Sequence, residues 1–191
     1  MLVYILLFAA ALAICIYSII VLFSHKPREP TPSELTYTTN DSAGEHYKLP
    51  SRINSSTSEY KDDGIQLSVV IPCFNETQRL GKMLSECIEH LDANYPSQYE
   101  IIIVDDGSLD KSDEFALRKA NEFRLKPHVM RVVKLSKNRG KGGAVTHGLL
   151  HSRGKYSLFA DADGATKFSD ADKLVAYLSS VDNNKPAIAI G

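Results

Sequence analysis

Hydrophobic and polar positions divide the chain into three stretches with different periodicity. Met1 to Phe23 carries no charged side chain and is apolar almost throughout. As a helix it would reach about 35 Å, against a bilayer core of about 30 Å. From Ser24 to Gly64 the chain is rich in Pro, Ser, Thr, Asn and charge, without a sustained period. That pattern predicts a tether or a loosely ordered stalk. From Ile65 onward, short apolar runs alternate with amphipathic ones.

The apolar runs predict strands at Leu67–Ile71, Glu100–Val104, Val129–Leu135, Tyr156–Ala160 and Ala187–Ile190. Helices are predicted between them at Arg79–Leu91, Lys111–Phe123, Gly142–His151 and Asp170–Ser180. In the first helix Leu80, Met83, Leu84, Cys87, Ile88 and Leu91 recur at i, i+3, i+4, i+7, i+8 and i+11, one apolar stripe. Val69–Ile71 and Ile101–Val104 are unbroken apolar runs, as strands covered on both faces require. Strand and helix in alternation imply an α/β domain built on a parallel sheet with right-handed crossovers. The reading is therefore an apolar anchor at 1–23, a stalk at 24–64 and one α/β domain at 65–191, with no internal repeat.

Charge and composition narrow the function. A formal net charge of -1 over 191 residues gives no electrostatic footprint for nucleic acid. The apolar start lacks the basic side chain of a cleaved signal peptide, and its run is longer than the roughly 7–15 residues such peptides use. An uncleaved signal anchor is expected. His25, Lys26 and Arg28 follow the span, so the positive-inside rule puts the remainder of the chain in the cytosol. The N-glycosylation triplets at Asn40, Asn54 and Asn75 would then stay bare. Cys15, Cys73 and Cys87 have no metal-ligand spacing and read as free thiols in a reducing compartment.

In parallel sheets ligands bind beyond the carboxyl ends of the strands, and the chemically suggestive residues fall there. Pro72-Cys-Phe-Asn-Glu76 follows the first strand. Asp105-Asp-Gly-Ser108 follows the second, either as an Asx turn with its glycine at positive φ or with one Asp accepting from a base or ribose. Asn138-Arg-Gly-Lys-Gly-Gly143 follows the third. It is either a helix start eased by glycine or a diphosphate cradle, with charge from Arg139 and Lys141. It is not a Walker A loop, because Lys141 precedes Gly142 instead of Ser or Thr. It is not a dinucleotide fingerprint either, because Val145 stands where the third glycine would be. Asp161-Ala-Asp163 follows the fourth strand. Alternate strand residues point to one side, so both acids could converge on a hard cation that holds a diphosphate; the other reading is a solvated turn.

Taken together, Leu67-Ser-Val-Val-Ile-Pro-Cys-Phe-Asn-Glu76, Ile101-Ile-Ile-Val-Asp-Asp-Gly-Ser108, Asn138-Arg-Gly-Lys-Gly-Gly-Ala144 and Asp161-Ala-Asp163 resemble the successive signatures of family 2 glycosyltransferases with the GT-A fold. The longer form Asp161-Ala-Asp-Gly-Ala-Thr-Lys-Phe168, with the amino-terminal anchor, is most similar to the branch that glucosylates dolichyl phosphate. The resemblance implies that Pro72, Phe74 and Glu76 line the nucleotide, with Phe74 where tyrosine is usual. It implies that Val104 and Asp106 contact uridine, and that Arg139 and Lys141 lie near base and diphosphate. Asp161, Ala162 and Asp163 would form the nucleotide-sugar segment, with Asp161 and Asp163 on Mg²⁺ or Mn²⁺. The implied reaction is inverting transfer of glucose from UDP-glucose to dolichyl phosphate, for protein N-glycosylation, at the endoplasmic reticulum membrane. Members of that family continue past the position of Gly191. The chain is therefore expected to be truncated, with acceptor-side catalytic residues beyond Gly191 and little transfer activity of its own. A polyprenyl-phosphate transferase using GDP-mannose and a non-catalytic membrane-tethered form remain the alternatives.

Overall fold

Four strands run parallel in the order β5-β4-β3-β6: β3 (Leu67–Cys73), β4 (Tyr99–Asp105), β5 (Met130–Lys134) and β6 (Tyr156–Phe159). The computed structural model describes residues 2–23, 28–41, 44–50, 64–165, 167–181 and 187–190. These divide into two units, Met1–Pro30 and Thr31–Gly191. The first unit is the helix α1 (Leu2–Phe23), in which Val3–Leu22 has a mean hydropathy of 2.9 and is long and apolar enough to cross a membrane.

In the second unit the expected alternation is present, with ends shifted by a few residues. The remaining helices are α2 (Leu80–Asn94), α3 (Ser112–Glu122), α4 (Gly140–Leu150) and α5 (Ala171–Ser180). Because successive strand side chains point to opposite faces, the unbroken apolar runs feed two cores. Val69, Ile71, Ile101 and Ile103 pack with the apolar stripe of α2 and with Ala116 and Ala120 of α3. Val70, Ile102 and Val104 pack on the other face with Ala144 of α4. Gly148 lets α4 lie against that face, since a β-carbon there would stand 2.4 Å from Val70 Cγ1.

Two expectations are corrected. Ala187–Ile190 has no regular secondary structure and belongs to no sheet among the described residues, and Ile188 and Ile190 are almost fully exposed. Alternating Ala and Ile gives strand propensity, but a strand also needs a partner to complete its ladder. The stalk expected at 24–64 is also wrong over Thr31–Pro50, whose described residues fold onto the sheet. A single 3₁₀ turn (Pro32–Leu35) leads into β1 (Thr36–Tyr37), which pairs antiparallel with β2 (Tyr47–Lys48). Thr38 then exchanges two backbone hydrogen bonds of 2.9 Å with Val132 on the outer edge of β5. An open strand edge presents unpaired N–H and C=O groups, and this strap supplies partners for some of them. Two imidazoles, His147 on α4 and His151 just past its end, hold the strap's ends. His147 Nε2 donates to the Glu34 carbonyl at 2.8 Å, and His151 Nδ1 donates to the Pro50 carbonyl at 2.5 Å. Residues 24–27, 42–43 and 51–63 of the expected stalk, Asn54 among them, lie outside the described residues.

Candidate active site

Strand order fixes where a site can form. From β3 the chain winds outward through β4 and β5, then returns to place β6 on the opposite side of β3. At such a reversal the loops leaving adjacent strands diverge and open a crevice beyond their carboxyl ends. A cleft of ≈ 410 Å³ lies there, lined by the loops after all four strands. That volume is within the roughly 300–1,000 Å³ of small-molecule sites.

Each loop is held by its own polar side chains. After β3, Pro72, Phe74 and Glu76 line the cleft. Asn75 takes a positive φ of 57°, and the loop is tied to the loop after β4. The N–H groups of Asn75 and Glu76 donate to Ser108 Oγ and Ser112 Oγ, at 3.0 and 2.9 Å. Glu76 Oε1 accepts from Arg79 at 2.7 Å, while its buried Oε2 has no hydrogen-bond partner among the described residues. The Phe74 ring is about half exposed at the cleft.

After β4 the two aspartates divide the two readings of their motif between them. Asp105 makes the Asx turn, accepting from Ser108 N at 2.9 Å across Gly107 at φ +80°. Asp106 lines the cleft. Its N–H donates to the Cys73 carbonyl at 2.8 Å, and Oδ1 accepts the Arg139 N–H at 2.7 Å. Burial pushes the Asp106 carboxyl above its ordinary pKa, opposed by hydrogen bonds from the Arg139 and Gly140 backbone.

After β5, Lys141 lines the cleft and Arg139 does not. The Arg139 guanidinium is held by Glu34 of the strap at 2.5 Å. Gly140 starts α4 at φ +74°, and the Arg139 side chain occupies the space a β-carbon on Gly143 would need, at 2.6 Å. Arg139, expected near base and diphosphate, here has its guanidinium paired with a buried carboxylate behind the cleft lining. Val104 is also absent from the cleft lining; it is fully buried under α4.

The strand ends at Phe159, so Asp161 and Asp163 sit in the turn beyond it and strand alternation does not orient them. Ala162 does that instead. It is buried in the main core, which leaves its exposed neighbours Asp161 and Asp163 on the cleft wall. Lys141 Nζ pairs with Asp161 Oδ1 at 2.6 Å, and Asp163 Oδ1 accepts from Ala165 N at 3.0 Å. Among the described residues lining the cleft, Glu76, Asp106, Asp161 and Asp163 are acidic and only Lys141 is cationic. An anion would meet mostly like charge here unless a cation accompanied it. The exposed Asp161 and Asp163 carboxylates offer the hard oxygen donors that Mg²⁺ or Mn²⁺ prefers, so the donor set fits such an ion. No group of three or more His, Cys, Asp or Glu forms a metal cage among the described residues. Further ligands would have to come from substrate and water.

Cys73, Asn138, Gly140 and Ala144, which the motifs contain without a role of their own, also line the cleft, and sequence reasoning missed Glu34 behind it. Glu34 did leave a signal. Thr31-Pro-Ser-Glu34 is a capping box with proline at the first position of the turn.

Parallel order and a switch-point cleft fit a GT-A fold, and the chain belongs to glycosyl transferase family 2, whose model matches residues 68–189. It is 47% identical over 190 residues to the dolichyl-phosphate beta-glucosyltransferase of Saccharomyces cerevisiae, covering 95% of this chain and 56% of that one. Proteins of the same name from Drosophila melanogaster and Homo sapiens are 46% and 41% identical, over 66% and 78% of this chain and 40% and 45% of theirs. The chain spans about half the length of the curated relatives it matches.

Proposed function

We propose that this chain carries the donor-binding half of an inverting glycosyltransferase that moves glucose from UDP-glucose to dolichyl phosphate. The observation that carries the reading is the cleft itself, whose lining brings the exposed Asp161 and Asp163 together with Asp106 and Lys141 beyond the strands' carboxyl ends. Names of relatives support the choice of sugar and acceptor. Asp161 and Asp163 would hold Mg²⁺ or Mn²⁺, which when bound offsets charge on the departing diphosphate. Asp106 accepts a hydrogen bond from the nucleoside, the Phe74 ring covers the base, and Lys141 adds positive charge beside the phosphates. A phosphate monoester acceptor has a second pKa near 6 and needs little help from a general base. Its alignment supplies most of the rate.

An apolar helix of α1's length fits a membrane anchor beside an isoprenoid acceptor. A cytosolic face at the endoplasmic reticulum is supported by the basic flank His25, Lys26 and Arg28. The half-buried Asn40 agrees, since its amide donates to the Leu125 carbonyl at 2.7 Å instead of being presented to solvent.

The test is calorimetric titration of the full-length membrane protein with UDP, with and without Mn²⁺, beside a transfer assay on dolichyl phosphate. Metal-dependent uptake is expected, weakened at least about tenfold by Asp163→Asn, the loss of one direct charged ligand. Uptake of UDP that ignores both the metal and the substitution would refute the site. Turnover of GDP-mannose in preference to UDP-glucose would refute the substrate.

A further inference from the structure

Glu34 is fully buried, 105 residues from its main partner, and serves no purpose in the cleft itself. Both of its carboxylate oxygens accept, from the loop after β5 and from its own turn. Oε1 accepts from both the N–H and Oγ of Ser136, each at 2.8 Å. Oε2 accepts from Arg139 Nη2 at 2.5 Å and from Thr31 N at 2.8 Å. Ser136 and Arg139 are the two ends of the loop after β5, so one carboxylate bridges it. The same loop is tied to the loop after β4, where Asp106 lines the cleft. Leu135 N donates to the Asp105 carbonyl, and Arg139 N donates to the Asp106 carboxylate. Glu34 in turn is fixed by the strap, whose ends the two imidazoles hold.

We propose that Glu34 is a positioning residue for the sugar-nucleotide donor: by clamping Ser136 and Arg139 it holds the Asn138–Gly140 backbone and Asp106 in the geometry the donor meets, and it keeps the Arg139 charge out of the cleft. A short turn that must bind a ligand gains affinity when its conformation is fixed before the ligand arrives. Charge-assisted hydrogen bonds to a buried carboxylate are the strong way to fix it. This rests on the reading of the cleft as a nucleotide-sugar site.

The experiment uses the full-length membrane protein carrying Glu34→Gln, Glu34→Ala and Glu34→Gln/Arg139→Gln. KM for UDP-glucose, KM for dolichyl phosphate and UDP binding by calorimetry are measured on folded fractions matched by circular dichroism. Glu34→Gln should raise the donor KM and the UDP Kd together by about tenfold, the effect of losing one strong charged contact. The acceptor KM should stay within about twofold, because the contacts Glu34 makes end on the loop after β5, whose Asn138, Gly140 and Asp106 neighbours line the proposed donor cleft. The double variant should cost no more than Glu34→Gln, since both changes cut the same contact. A donor KM unchanged in folded Glu34→Gln overturns the proposal, as does an equal rise of both KM values. Should the unsubstituted protein use another sugar nucleotide, the substrate reading fails, and the clamp is tested with that nucleotide's KM and Kd instead.

Discussion

Replacing Glu100 with Gln should remove a large share of this domain's stability without touching its cleft. Glu100 stands near the start of β4, at the sheet's amino end, with no exposed side-chain surface. Its carboxylate pairs with Arg131 Nη2 at 2.6 Å and Arg153 Nε at 2.7 Å, and it accepts from Ser68 Oγ at 2.7 Å and from Arg153 N at 2.8 Å. Arg131 is almost wholly buried, whereas Arg153 keeps 29% of its side-chain exposure and so its access to water. Gln would turn an N–H₂ toward a guanidinium and leave Arg131 as an uncompensated buried charge. Breaking a buried pair on one side costs about 3–5 kcal/mol, and at roughly 2–4 °C per kcal/mol the midpoint should fall on the order of 10 °C. The assay is thermal unfolding of the detergent-solubilised protein followed by circular dichroism. Acid should reveal the same contact. Burial alone would raise the Glu100 carboxyl, but Arg131, Arg153 and the Ser68 hydrogen bond outweigh it and hold the group below its ordinary value. Its contribution is therefore complete above an unfolded pKa of about 4.5 and lost as pH falls through the lower folded value. Glu100→Gln should lack that acid-side loss. Glu100→Leu/Arg131→Met should recover most of the stability, since apolar replacement of a buried pair is often neutral. A midpoint for Glu100→Gln within about 2 °C of the parent would refute this reasoning, being under about 1 kcal/mol.

Two further outcomes can be checked on the same preparations. Gly148→Ala should destabilise by about 1–3 kcal/mol despite alanine's better helix propensity, because its β-carbon would meet Val70 Cγ1 at 2.4 Å and Val104 Cγ2 at 3.0 Å. Val70→Ala should relieve part of that cost, and denaturant midpoints that ignore Gly148→Ala would contradict the packing of α4. His147 is pushed down to about 4, by burial first and by neighbouring His151 second. Its folded pKa is depressed, so its contribution is complete above an unfolded value near 6.5 and is lost as pH falls toward about 4. Thermal midpoints measured across that window should fall less steeply for His147→Asn than for the parent; parallel curves would show that His147 does not titrate on unfolding.

The sequence alone determined the elements and the edge on which the chemistry gathers. Periods of two kinds are written in neighbouring residues, so the stripe from Leu80 to Leu91 and the runs Val69–Ile71 and Ile101–Val104 specify helix and buried strands locally. Strand-helix alternation then forces parallel pairing, which puts Glu76, Asp106, Lys141 and Asp163 at the strands' carboxyl ends. Tertiary structure alone decided which side chains face the cleft and which face the interior. Arg139 and Lys141 are two residues apart in one motif, yet Glu34 holds the first while the second lines the cleft. Ala162 orients its acidic neighbours by entering the core, where strand alternation had been expected to do so. The polar segment that reads as a stalk becomes a strap because β5 leaves an edge open and α4 and the residue just past its end present His147 and His151 to it. A buried charge is satisfied by whatever partner the fold brings within about 3 Å, and for Glu34 that partner lies 105 residues away, beyond the reach of any local pattern.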